Sequence, residues 1–393
     1  MSQINIRNLS NENDDGSPEI VGVSTFSATS FFVPPKGSTA ERPSDCEPGS
    51  IRFNTDTANL EYYRGKTLGW SQFELVTPNL GQSGGDGGGT SVGNGLGVRA
   101  LLAGGDTPSL LSHIDFITMS TMGDAADFGN LSTARASSTC ISNRTTIAWC
   151  GGYAPGVSNS IDTTIFASTG NAVDTANLTA SKQGAGKGPG NNTRGLIKGG
   201  ATPSATNVIE YYTFEAAANA VDFGDLSSAS FTGSGCSSST RSVFNLGYVA
   251  PARVNTIEFV TTSTTGNSTD FGDLTDVRNG TGALSNSTRG VWGGGENPNK
   301  TNIMDFVTIA STGNATDFGD MTYVRANAAG DGASSATRGI FSGGGSPASG
   351  NDNNRMKLID KIEIATTGNA IDFGDMTDHT SNHGVGSNGH GGL

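Results

Sequence analysis

The chain is poor in the features that would make it a membrane, nucleic-acid or metal protein. Its 393 residues contain no apolar run near the roughly 20 that a membrane helix needs. No basic-then-apolar segment stands at the start, so no signal peptide is expected. Charged residues make up only 15%, and 36 acids outweigh 23 bases. The resulting charge of −13 disfavours nucleic acid, whose phosphates need basic surface. The four cysteines, Cys46, Cys140, Cys150 and Cys236, lack metal-ligand spacing and are too few to staple a chain this long. They are expected as free thiols made in a reducing cytoplasm. Long helical periodicity is missing too. Glycine, at 58 residues, is abundant, and short β-branched and aromatic runs such as "VIEYYTF" and "IMDFVTI" recur at even intervals. That pattern predicts many short strands joined by tight turns.

One segment, "GNATDFGDM" (313–321), contains Asp-Phe-Gly, the triplet that holds magnesium in protein kinases. The companion kinase motifs are missing. The triplet also recurs, as "VDFGDL" (221–226), "TDFGDL" (269–274), "TDFGDM" (316–321) and "IDFGDM" (371–376), with "ADFGNL" (126–131) and the degraded "VDTANL" (173–178) completing the set. A catalytic triplet occurs once; six copies indicate architecture. The marks Asp127, Asp174, Asp222, Asp270, Asp317 and Asp372 are spaced by 47, 48, 48, 47 and 55 residues. A period near 48 with only strand signals predicts propeller blades of four strands each. Arg99, Arg144, Arg194, Arg241, Arg289 and Arg338 keep the same step, each opening an apolar run that ends in glycines, as in "RGVWGGG".

Each repeat therefore reads as a small, polar strand a, an Arg-led strand b, an acidic-aromatic strand c such as "IEFVT", and strand d carrying Asp-Phe-Gly. The Phe is expected to wedge between blades. The Asp is expected to accept hydrogen bonds from turn backbone or from a repeated arginine. Two carboxylates on a strand supply too few of the six or more oxygens calcium wants, so neither metal nor cofactor is expected. The first repeat lacks a strand a, and residues His379–Leu393 have strand-a composition; that tail is expected to return beside Val98–Gly105 and close the ring. The fold class expected is all-β, a six-bladed propeller, with seven blades if the 55-residue step hides a repeat. The glycine-ended strand b followed by an acidic-aromatic strand c resembles kelch-type β-propellers over residues 98–393. It departs from them in carrying Phe where strand d usually has Trp.

Residues 1–97 lack the repeat. Residues 1–48 read as an extended arm, 49–80 as a hairpin segment turning at Thr55–Ala58, and 81–97 as a Gly-rich linker. "GSIRFNTDTANLEYYRG" (49–65) is similar to a segment of virion structural and tail-fibre proteins of marine tailed phages, particularly cyanophages, which also carry "TGNATDFGDL"-type repeats. The resemblance implies a non-enzymatic virion component: an arm docked on other virion proteins, a homo-oligomer with a trimer among the options, and a propeller displayed toward a host-surface glycan or protein. A head decoration fibre is the alternative within that reading, and a glycan-active depolymerase the alternative from another class. The latter needs two carboxylates converging in a pocket, whereas the acids here repeat with the blade period.

The repeated arginines, Arg144, Arg194, Arg241, Arg289 and Arg338, and the repeated acids, Asp222, Asp270, Asp317 and Asp372, are expected to be structural, the arginines as Arg–Asp or Arg–carbonyl clamps. Trp149 and Trp292 are expected as packing, and His379, His383 and His390 as parts of the closing segment rather than metal ligands. The c–d turns are nearly uniform ("ASTGNA", "TTGNS", "ATTGNA"), while the b–c loops differ and each contains one proline. Varied, rigid loops on a scaffold make binding surfaces. The longest, Ser346–Leu358, gives the candidate recognition residues Ser346, Asn351, Asp352, Asn353, Asn354 and Arg355.

Overall fold

The computed structural model describes residues 34–44, 46–56, 59–72, 98–184, 186, 188–326, 332–347 and 354–393. The chain divides into two compact units, Met1–Leu75 and Val76–Leu393. No described helix is long and apolar enough to cross a membrane. All four cysteines are free thiols.

The first unit holds a four-stranded sheet in the order β1 (Lys36–Gly37), β2 (Ile51–Asn54), β3 (Asn59–Tyr63) and β4 (Trp70–Gln72). The expected hairpin is its centre, with Asn54 opposite Asn59. The sheet also takes in β1, from the stretch expected to be arm, which runs parallel to β2. Residues 1–33 of the arm and the linker 81–97 lie outside the described residues. One face of the sheet is polar and covered. Glu61 is fully buried, 2.6 Å from Arg42, and it accepts a hydrogen bond from Asn54 at 3.1 Å. On the other face Ile51 and Leu60 are exposed.

The second unit is all-β and propeller-like. Six successive antiparallel sheets follow the repeats, five with four strands and one with three formal strands. Strand b runs Arg99–Ala103, Thr146–Cys150, Arg194–Lys198, Arg241–Asn245, Arg289–Gly293 and Arg338–Ser342 in repeats one to six. In the first sheet the innermost strand is Gly384–Ser387, with Gly384 opposite Ala103 and Ser387 opposite Ala100. The expected return of the tail is thus observed, its strand pairing limited to four residues.

Among the described residues six apolar clusters form, each drawn from two consecutive repeats. The sixth joins repeat six to repeat one through Ile340, Phe373 and Met376 against Ala100, Leu102 and Ile117. Phe128, Phe223, Phe271, Phe318 and Phe373 of the Asp-Phe-Gly triplets sit in these clusters, as expected. Repeat two has Thr175 there, and the neighbouring strand c compensates with Tyr212 where other repeats have Ile117, Val260, Val307 or Ile362. Trp149 and Trp292 are fully buried, each donating its indole N–H to a backbone carbonyl, of Gly384 and Ser234 respectively.

Backbone approach decides the small residues of strand a. Innermost-strand hydroxyls donate from repeat to repeat: Ser142 to the carbonyl of Ser387, Ser387 to Ser334, Ser334 to Ser285, Ser285 to Ser237, and Ser237 to Gly190, at 2.6–2.9 Å. Between repeats three and two, the Gly188 amide donates to the Cys140 carbonyl. Residues Asn388–Leu393 continue across these strands. Asn388 accepts from the Arg99 amide, His390 Nε2 lies 2.8 Å from the Ser142 carbonyl, and the Gly391 amide donates to Ser285.

The outer ends are locked by the two motifs that recur most. The Phe128 carbonyl accepts from the Gly170 amide of the next repeat's c–d turn, and Phe223 likewise from Gly266, Phe271 from Gly313, Phe318 from Gly368, and Phe373 of repeat six from Gly123 of repeat one. The Asn of each "GN" turn accepts in return from the residue after Asp-Phe-Gly, as Asn314 does from the Asp273 amide. "TGN" and "DFGD" are therefore two halves of one inter-repeat latch.

Candidate recognition face

Strands b and c join at the same end of each sheet at which strand d leads toward the next strand a, so these segments meet. Each b–c loop pairs backbone to backbone with the preceding repeat's d–a segment: Tyr153 with Ala136, Ala201 with Gln183, Tyr248 with Phe231, Glu296 with Asn279, Gly345 with Ala326, and Asp106 with Ser381. The stems are held this way while the tips project. Pro108, Pro155, Pro203, Pro251, Pro298 and Pro347 are all exposed.

The longest loop contributes less surface than its sequence suggests. Ser346 is fully buried, its amide donating to the Asn354 carbonyl at 2.7 Å. Arg355 forms an ion pair with Asp106 of the first repeat and donates from Nε to Ser381. Two candidate recognition residues thus serve the fold, because this loop must bridge the junction of the last repeat with the first. Asn351, Asp352 and Asn353 lie outside the described residues.

Of the repeated arginines, Arg194, Arg241, Arg289 and Arg338 are carbonyl clamps, one of the two expected forms. They donate to Ser263, to Ile309 and Ala310, to Ile364, and to Met119 and Ser120 respectively, in each case on the following repeat. Arg99 grips Phe166 likewise. Four of these guanidinium groups also stack on a strand-c aromatic, for example Arg241 at 4.7 Å from the Phe259 ring centre. Arg144 is a correction. It lies half-buried in the a–b turn, two residues ahead of Thr146, which occupies the position that opens strand b. Asp222, Asp270, Asp317 and Asp372 are a second correction. Each projects to solvent, because side chains alternate along a strand and the adjacent Phe takes the buried face.

The carboxylates buried between repeats are instead those of strand c: Asp115, Asp162, Glu210, Glu258, Asp305 and Asp360. Four meet a cation from the preceding repeat, four residues after the Leu or Met that ends strand d. Arg135 lies 2.9 Å from Asp162, Arg278 2.7 Å from Asp305 and Arg325 2.5 Å from Asp360, while Lys182 pairs with Glu210. The signal was present in the sequence, as an acid directly after a buried Ile or Met in every strand c. These carboxylates are committed to holding repeats together.

The third and sixth repeats depart from this rule, with Ser230 and Thr380 at the cation position. Next to the first, Glu258 accepts from the hydroxyls of Ser227 and Ser268. A different cation enters this junction, Lys198 from strand b. It is fully buried, its Nζ has no hydrogen-bond partner, and burial pulls its pKa down to about 7 against a smaller upward pull from Glu258. Unfolded, this lysine holds its proton up to about pH 10.5. Between about pH 7 and 10.5 the unfolded state therefore binds more protons, and stability rises with pH; below about 7 the whole penalty is present. Lys198→Met is expected to raise the melting temperature at pH 6–7, with the gain vanishing toward pH 10. A variant that melts lower at pH 7 would show that attraction to Glu258 outweighs desolvation.

His383 is buried, Nε2 facing the Ser342 hydroxyl at 3.0 Å, and burial first and Arg325 second lower its pKa to about 3. Among the described residues no group of His, Cys, Asp or Glu is arranged to hold a metal ion. No protein-family model matches the chain, and no curated protein matches it.

Proposed function

We propose that residues 98–393 form a closed six-bladed propeller, and that the protein is a non-enzymatic virion component of a tailed phage that presents the b–c face of this propeller to a host-surface glycan or protein. Support for closure comes from the last-to-first contacts: the Gly384–Ser387 pairing, the sixth apolar cluster, and the Gly123–Phe373 latch all repeat between repeats six and one what the other junctions do. The observation that carries the recognition reading is the face of six exposed prolines on anchored stems, since rigid tips of varied sequence bind without a large ordering cost. The strand-c acids support a binding role over a hydrolytic one, being buried between repeats rather than converging in an open pocket. The exposed Ile51 and Leu60 on the sheet of the first unit suit attachment to other virion proteins, and both "GSIRFNTDTANLEYYRG" and the repeats resemble phage virion proteins.

The test uses the full chain and a variant whose tips at Pro155, Pro203 and Pro298 are each replaced by Gly-Ser. The stems keep their backbone pairing, so melting temperatures should agree within a few degrees. Wild-type protein in excess should block phage adsorption to host cells, and the variant should block at least tenfold less well. Equal blocking by both proteins removes this face from recognition. Release of soluble sugar from host envelope by the wild-type protein would favour the depolymerase reading.

A further inference from the structure

The junction of repeat six with repeat one lacks the guanidinium that three others bury and the lysine that a fourth buries. Thr380 stands at the position of Arg135, Lys182, Arg278 and Arg325, and it lines a partly open cavity of about 20 Å³. Roughly 10–15 Å³ suffices for one water. Asp115, Thr380 and His383 all line this cavity. Thr377 supplies Asp115 with two donors, its amide at 3.0 Å and its hydroxyl at 2.7 Å, and both go to Oδ2. His383 is 3% exposed, and its Nδ1 has no hydrogen-bond partner. A buried polar atom left unpaired costs about 1–3 kcal/mol, and buried waters typically make two to four hydrogen bonds to such groups.

We infer that this cavity is a solvent site: one ordered water sits between strand c of repeat one and the end of strand d of repeat six, bonded to Asp115 and to His383 Nδ1, in the place of the missing guanidinium. The partners suit a water. Desolvation raises the Asp115 pKa, as for a carboxylate without a paired cation, and His383 stays neutral in the ordinary pH range, leaving Nδ1 free to accept or donate. The site is the one junction at which the molecule exchanges a fixed cation for a removable ligand.

A crystal structure of the full chain at a resolution that shows solvent decides the matter. Density for a water within about 3.2 Å of both an Asp115 carboxylate oxygen and His383 Nδ1 is expected. An empty cavity, or a water touching only one of the two, overturns the inference. Thr380→Arg gives an independent reading, because a guanidinium at this position would displace the water and pair with Asp115. The variant is expected to melt several degrees higher than wild type, with the His383 Nδ1 resonance shifted by loss of its water partner. An unchanged or lower melting temperature in a folded variant would mean that the cavity does not stand in for the guanidinium.

Discussion

A chain lacking Gly384–Leu393 is expected to lose cooperative folding of the repeat region altogether. These ten residues supply the innermost strand of the first sheet, and with it the backbone partners of Ala100–Ala103. They also supply the Ser387 hydroxyl and carbonyl that link repeats six, one and two. The Gly384 carbonyl serves Trp149, Val385 fills the cluster between repeats six and one, and His390 and Gly391 bond to repeats two and five. Each such bond contributes about 1 kcal/mol net, and each buried backbone group left bare costs about 1–3 kcal/mol. Their sum exceeds the roughly 5–15 kcal/mol by which a domain is stable. Circular dichroism should show no sigmoidal melt, and size exclusion should show aggregates built on the bared edge of Arg99–Ala103. A truncated protein that stays monodisperse and melts where the full chain does would disprove the role assigned to this segment.

The second large effect separates two glycines of one latch. Gly272 has φ +144°, and a Cβ there would lie 2.5 Å from the Gly313 backbone of the next repeat. Gly313 has φ +154°, and a Cβ there meets nothing within 4 Å. The left-handed backbone therefore penalises alanine at both positions by about 1–2 kcal/mol, while only Gly272→Ala forces the two repeats apart. We expect Gly313→Ala to cost about 1–2 kcal/mol and Gly272→Ala 3 kcal/mol or more, measured by denaturant unfolding of each variant. Equal costs would mean that backbone conformation alone, and not close approach, selects glycine at both sites. Nature has made a related change between repeats two and three. There Ala176 replaces the strand-d glycine, its backbone is not left-handed, and the facing turn reads "AAANA" instead of "STGNA". The outer bonds of that latch persist, from the Ala220 amide to the Asn177 carbonyl and from the Asn177 amide to Asn219.

Much of this architecture is legible in the sequence because every repeat must solve the same packing problem. The period, the four strands, the buried Phe and the returning tail all follow from residues that recur in register. Errors arise where a residue type keeps the period but shifts its place. Arg144 lies two residues ahead of the strand-opening position, and only backbone pairing, which sets Thr146 opposite Ile165, reveals the slip. The Asp of Asp-Phe-Gly recurs as faithfully as the Phe, yet recurrence carries no information about which side of a strand is covered. The strand-c acids were visible, but their partners lie about 30 residues away on the neighbouring repeat, and no local pattern joins Asp162 to Arg135. In the first unit, β1 and β4 have two and three residues, too short for alternation to register. The candidate recognition face is legible only in part. Loop diversity marks the face, while the burial of Ser346 and the Arg355–Asp106 pair depend on a junction that local sequence does not show.

The pairing of Gly384 with Ala103 also sets a clock. The two residues lie 281 positions apart, which at roughly 5–20 residues per second is on the order of 15–60 s of ribosome time. Throughout that interval the apolar strand Arg99–Ala103, paired with His113–Thr118 on one side, has its other edge bare. On a polysome, the chain ahead has already made the segment that fits it. Exchange of this one strand between neighbouring nascent chains would yield swapped dimers with every contact native. The fraction of dimer in freshly made protein should therefore rise with ribosome loading of the message and fall when initiation is slowed.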